Sequence, residues 1–154
     1  MTTFIFNDGG RAAAGFKGSA GDCATRAIAI AAGIPYREAY DLVNEFAEGE
    51  RTRTFRRGKR RGQERSKSSA RSGVYGPTMR RIMASLDFEY VPTMSIGSGC
   101  TVHLRADELP LGRLIVNVSK HYVAVIDGVI HDTNDPSRAG TRCVYGYFQR
   151  KGHR

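Results

Sequence analysis

The chain has 154 residues, 40% hydrophobic and 25% charged, with a formal net charge of +9. That is the size and composition of one soluble domain with its own core (residues 1–154), and it excludes a disordered chain. No apolar run approaches the ~20 residues of a membrane-spanning helix, so no membrane partner is expected.

In chain order, Thr3-Phe4-Ile5-Phe6 reads as a short strand, and the Gly/Ala-rich residues 7–22 as a loop. The first residues, Met1 to Asp8, lack the basic and apolar regions of a secretory signal. A helix is expected from Cys23 to Ala32, with Asp22 as N-cap and Gly33 just past its end. Ala24, Ala27, Ile28, Ile30 and Ala31 make it apolar nearly all round, which predicts burial. A second helix follows Pro35, with Tyr36, Ala39, Tyr40, Val43 and Phe46 at helical spacing. Residues 49–74 have no periodicity and read as a flexible basic insertion. A third helix starts near Pro77 and carries Met79, Ile82, Met83 and Leu86. Strands are expected at Phe88–Val91, Leu114–Val118, Tyr122–Ile126, Val129–Asp132 and Cys143–Phe148, with one helical turn over residues 106–109. Helices first and an antiparallel sheet second predict an α+β domain.

The charge is unevenly placed. Residues 51–71 hold ten Lys/Arg against one acid, Glu64, and so carry the whole positive excess of the chain. Such an arm, centred on Arg56, Arg57, Lys59, Arg60 and Arg61, suits a polyanion: nucleic acid or an acidic protein. Only Phe55 interleaves it, so binding there would be electrostatic and not built on stacked bases.

Two segments carry chemistry. Cys23 opens a buried helix, where the helix dipole and any nearby imidazolium favour the thiolate. Asp127-Gly128 between two β-rich runs reads as a two-residue hairpin turn pairing Ile126 with Val129. Continued along the strands, that register sets Val123 opposite Asp132 and His121 opposite Asn134. Alternation then puts His121, Asp132 and Asn134 on one face and His131 on the other. Diagonal neighbours lie about 7–8 Å apart at the backbone, so Asp132 or Asn134 can orient His121 as a base. His131 is expected to be structural. Cys100-Thr101-Val102-His103 has the spacing of half a metal site, but no second half exists, so no metal is expected. Three cysteines at irregular spacing argue against a disulfide framework and for a reducing compartment, the cytoplasm. Nothing calls for a cofactor.

With these residues in view, the chain resembles the papain-like cysteine peptidase superfamily. That group places Cys at a buried helix start, His at a strand start, and Asp or Asn on the next strand, and Cys23, His121 and Asp132 follow that order, with Asn134 as the alternative third member. Gly21-Asp22-Cys23, Arg26-Ala27 and the run from His121 to Thr133 also resemble a group of short papain-like proteins of phages and bacteria, which would put the chain in a host cytoplasm. The resemblance implies a thiol hydrolase acting on a peptide or isopeptide bond of a protein or peptide substrate. It departs at one place: Lys17 stands six residues before the nucleophile, where papain has an oxyanion-stabilising Gln. Lys17, the Cys23 backbone N–H, Asn7 and Ser19 are the candidate donors. The alternative is a degenerate, non-catalytic papain-like module that binds nucleic acid or an acidic partner through its arm.

Overall fold

The computed structural model describes residues 3–18 and 20–152. Three helices pack on one face of a six-stranded, mostly antiparallel sheet. Along the chain, β1 (Thr3–Phe6) is followed by α1 (Cys23–Ala32), α2 (Tyr36–Glu48), β2 (Arg53–Thr54), β3 (Glu64–Arg65) and α3 (Gly76–Ser85). Then come β4 (Phe88–Pro92), a 3-10 turn (Ala106–Glu108), β5 (Arg113–Val118), β6 (His121–Ile126), β7 (Val129–Asp132) and β8 (Val144–Arg150). The sheet runs β1-β7-β6-β5-β8-β4. Against expectation, the sheet is neither wholly C-terminal nor wholly antiparallel, because β1 crosses from the N-terminus to pair in parallel with β7. No helix among the described residues is long and apolar enough to cross a membrane.

α1 is the central helix. Its small residues let α2 and the sheet approach from different sides, and Ala24, Ala27, Ile28, Ala29 and Ala31 are all buried. Gly33 ends it in the left-handed conformation (φ 70°), which glycine adopts without a Cβ penalty. α2 buries Tyr36, Ala39, Val43 and Ala47 and exposes Arg37, Glu38, Asp41 and Glu45, as its spacing predicts. α3 buries Met79, Ile82 and Met83. Ile115, Ala124 and Phe148 meet these helices from the sheet. The other sheet face, with Leu114, Val116, Val123, Val125 and Ile130, is covered by Leu104 and Leu109 from the long β4–β5 connection. Truncating a wholly buried side chain such as Ile28 to Ala should cost about 2–5 kcal/mol.

The turn between β6 and β7 is Asp127-Gly128, both with positive φ (48° and 81°), as a type I′ hairpin requires. Ile126 pairs with Val129, Val125 with Ile130, and Ala124 with His131, which is the register expected from sequence.

Two expectations need correction. Residues 49–74 are not a uniformly loose insertion. β2 and β3 form a small antiparallel hairpin, with Arg53 opposite Arg65. Beyond it the chain is packed: Ser68 and Ala70 are buried. The Thr25 hydroxyl donates to the Ala70 carbonyl (2.8 Å), and the Ala70 N–H donates to Asn44 (3.0 Å). The reason is size: Ala70 fits against α1 and Ser68 bonds Glu50 and the Tyr75 N–H, effects a charge count does not register. Second, Cys100 and Cys143 are joined in a disulfide with Cα atoms 5.8 Å apart. The sheet and its connections bring together two residues 43 apart in sequence, and spacing alone cannot show that. Cys23 is the free cysteine.

Candidate active site

Cys23 is the first residue of α1, His121 the first of β6 and Asp132 the last of β7. The fold brings these three ends together. Cys23 and His121 line one open cleft of about 520 Å³, lined also by Ser72, Gly73 and Val74. Gly21 lets the chain pass close there: a Cβ on it would sit 3.3 Å from the Ser72 carbonyl oxygen, a tight contact. Cys23 is half-buried, a residue sheltered yet not closed off from solvent.

His121 Nε2 lies 2.7 Å from Asp132 Oδ2. A carboxylate only accepts, so Nε2 carries the hydrogen and Nδ1 is the nitrogen left for the thiol. Asp132 is buried, and its other oxygen accepts the Thr133 N–H at 2.7 Å. Burial alone would raise the Cys23 pKa. The His121 ring, the Tyr122 backbone N–H and Arg26 outweigh it, and the thiol ends below its ordinary value. Burial works the opposite way on His121, and Asp132 and the Cys23 sulfur overcome it, raising the imidazole to about 9. The two shifts agree in direction: the imidazole favours the thiolate, and the sulfur and Asp132 favour the imidazolium.

Asp22 takes the N-cap position expected of it, its carbonyl accepting the Arg26 N–H (3.0 Å), but its side chain makes no cap bond. Charged partners draw the buried carboxylate away. It lies 2.5 Å from Arg26 and 3.2 Å from Arg11, and the Tyr36 hydroxyl donates to it at 2.6 Å. Burial and then Asp22 push the Tyr36 pKa up, so the phenol remains a donor. Arg26 also reaches Asp132, at 3.4 Å. It thus ties the residue before the nucleophile to the residue that orients the base. Sequence reasoning assigned Arg26 no role. The signal was its i, i+4 spacing from Asp22 on the nucleophile's own helix.

The remaining expected residues fall as follows. Asn134 is exposed, and the partner of the His121 ring is Asp132. His131 points away and its Nδ1 meets the Asn7 amide at 3.1 Å, as a structural residue would. Asn7 is thereby occupied, its oxygen accepting the Gly9 N–H, and it does not line the cleft. Lys17 is exposed and outside the cleft lining. Ser19 lies outside the described residues. Asn117, unforeseen, does line the cleft, with its amide donating to the Tyr90 hydroxyl at 3.3 Å. Arg56, Arg57, Lys59, Arg60 and Arg61 are exposed on the hairpin loop and are not among the cleft residues. No cluster of three or more potential metal ligands occurs among the described residues.

Compared with known protein families, curated proteins and solved structures, the chain matches none.

Proposed function

We propose that the chain is a papain-like thiol hydrolase that cleaves a peptide or isopeptide bond through Cys23, His121 and Asp132. One observation carries this reading. A single imidazole is held by a buried carboxylate at 2.7 Å and shares a cleft with a helix-start cysteine, and the pair's pKa values move in opposite directions.

The chemistry follows from the placement. The Cys23 thiolate attacks the carbonyl carbon, forming a C–S bond and sending the carbonyl electron pair onto oxygen. When that pair returns, the C–N bond breaks, and the departing amine takes the proton from His121. A thioester remains. Neutral His121 then takes a proton from water, and the hydroxide attacks the thioester and releases Cys23. Asp132 keeps the ring in the right tautomer and stabilises the imidazolium. The Cys23 backbone N–H, at the helix start, and the Asn117 amide are two donors at this cleft for a developing oxyanion. With an amine acceptor in place of water the same parts would transfer the acyl group. The proposed setting is the cytoplasm, which keeps Cys23 a free thiol; the Cys100–Cys143 bond is the group that would open there.

The rival reading, a degenerate module that binds partners without catalysis, is favoured by Lys17, which leaves the papain oxyanion position without a side-chain donor in the cleft. Turnover decides between them. Small peptidyl-amide and thioester substrates should be hydrolysed by the wild-type chain and not by Cys23→Ala. Equal rates for the two, or no turnover of either substrate class, would leave the binding module.

A further inference from the structure

The cleft does not end at Val74. Ser72, Gly73 and Val74, which line the cleft with the nucleophile, also wall a second hollow with Ser66, Lys67 and Tyr75. Ser66, Lys67 and Tyr75 in turn border a third hollow, whose other walls include Arg51, Arg53, Arg65 and Arg81. The three form one surface track from Cys23 to the base of the β2–β3 hairpin.

The cations on that track are held in place. Arg53 lies over the Tyr75 ring at 5.7 Å, and Arg65 lies over both Tyr75 (5.3 Å) and Phe55 (5.4 Å). Arg60 covers Phe55 at 4.3 Å. Ring stacking fixes a guanidinium and leaves its N–H fork free for a carboxylate. Among the described residues, no carboxylate lies within ion-pair distance of Arg53, Arg60 or Arg65. The acids near the track are occupied: Glu50 accepts the Ser68 N–H (2.7 Å) and the Thr78 hydroxyl, and Asp22 is bound by Arg11, Arg26 and Tyr36. Glu64, in the hairpin, lines none of the three hollows.

We infer that the ligand of this track is an acidic polypeptide segment, laid from Cys23 along residues 72–75 so that its carboxylates meet Arg53, Arg65 and Lys67. Two features favour peptide over nucleic acid. The Phe55 and Tyr75 rings are already covered by guanidinium groups, so they are not free platforms for bases. A track that begins at an acyl-attacking thiolate also suits a chain with carbonyl carbons; this half of the inference rests on the hydrolase reading above.

The test uses the full chain as Cys23→Ala and three fluorescein-labelled probes: a Glu-containing peptide, a neutral peptide of equal length, and a single-stranded oligonucleotide of equal charge. Fluorescence polarisation should show the acidic peptide binding roughly tenfold tighter than the neutral one, a gain that shrinks as salt rises. Replacing Arg53 and Arg65 together by Ser should abolish the preference. Replacing Arg37 and Lys151, the same charge removed elsewhere, should leave it. In the wild-type chain the acidic peptide should also shield Cys23 from iodoacetamide. Equal affinity for acidic and neutral peptides, an unchanged preference in the Arg53/Arg65 variant, binding without shielding, or tighter oligonucleotide binding would each overturn the assignment. An acidic peptide that binds and shields Cys23 but is never cleaved leaves the track standing and removes only the hydrolase reading.

Discussion

His121 and Asp132 show how much one turn can determine. Once Asp127-Gly128 is read as a tight hairpin, period-two alternation puts the imidazole and the carboxylate within reach and turns His131 the other way. The same reading left the third member open, because Asp132 and Asn134 share a face; only the 2.7 Å contact separates them. His121→Ala should therefore abolish hydrolysis, while His131→Ala should keep most of the rate, as initial-rate assays of the two proteins would show. Asp132→Asn should slow turnover by roughly two to four orders of magnitude without loss of fold, since the orienting carboxylate sets the ring tautomer. Asn134→Ala should be near neutral, and a deep loss there with a mild Asp132→Asn would reassign the third member. Arg26 could not be found this way. Its i, i+4 contact with Asp22 is legible locally, but its contact with Asp132 spans 106 residues, and nothing local announces that one.

At the scale of elements, periodicity located the helices well. The apolar spacing and the capping glycine marked α1, the proline marked the entry to α2, and Pro77 marked the first turn of α3. The basic segment was read least well, because charge density hid the small residues that anchor it. Its two parts should now behave differently. Arg53 and Arg65 are paired neighbours, so residues 53–65 can be replaced by a two-residue linker, and the thermal melt should stay cooperative. A deletion extended through Ala70 removes the buried bond to Thr25 and should lower stability by several kcal/mol or abolish the transition. The Asp22 cluster is the other element-level lock. Asp22→Ala leaves Arg11 and Arg26, both largely buried, without their shared partner, and should cost about 3–5 kcal/mol in denaturant unfolding.

For the whole molecule, the design is a near-neutral α+β domain with its positive excess gathered in residues 51–71, most of it on the β2–β3 hairpin. The sheet brings a helix start, a strand start and a strand end to one point, and the Cys100–Cys143 bond fastens the long connection that covers its other face. Thiol titration of the unfolded, unreduced chain should find one reactive thiol, Cys23; three would mean the bond does not form. The account as a whole rests on Cys23 being a thiolate activated by its imidazole, and the pH dependence of its alkylation tests this most directly. In the wild-type chain the iodoacetamide rate at Cys23, read by mass spectrometry, should rise at a lower pH than that of an ordinary thiol, because His121, the Tyr122 N–H and Arg26 lower the sulfur's pKa. Above about pH 9 His121 loses its proton, so turnover should drop while alkylation persists. In His121→Ala the burial that raises the thiol is no longer opposed by the ring, and the alkylation curve should move to higher pH with a much slower neutral rate. Identical alkylation curves for the wild-type and His121→Ala chains, both rising only near the pH of an ordinary thiol, would contradict the account.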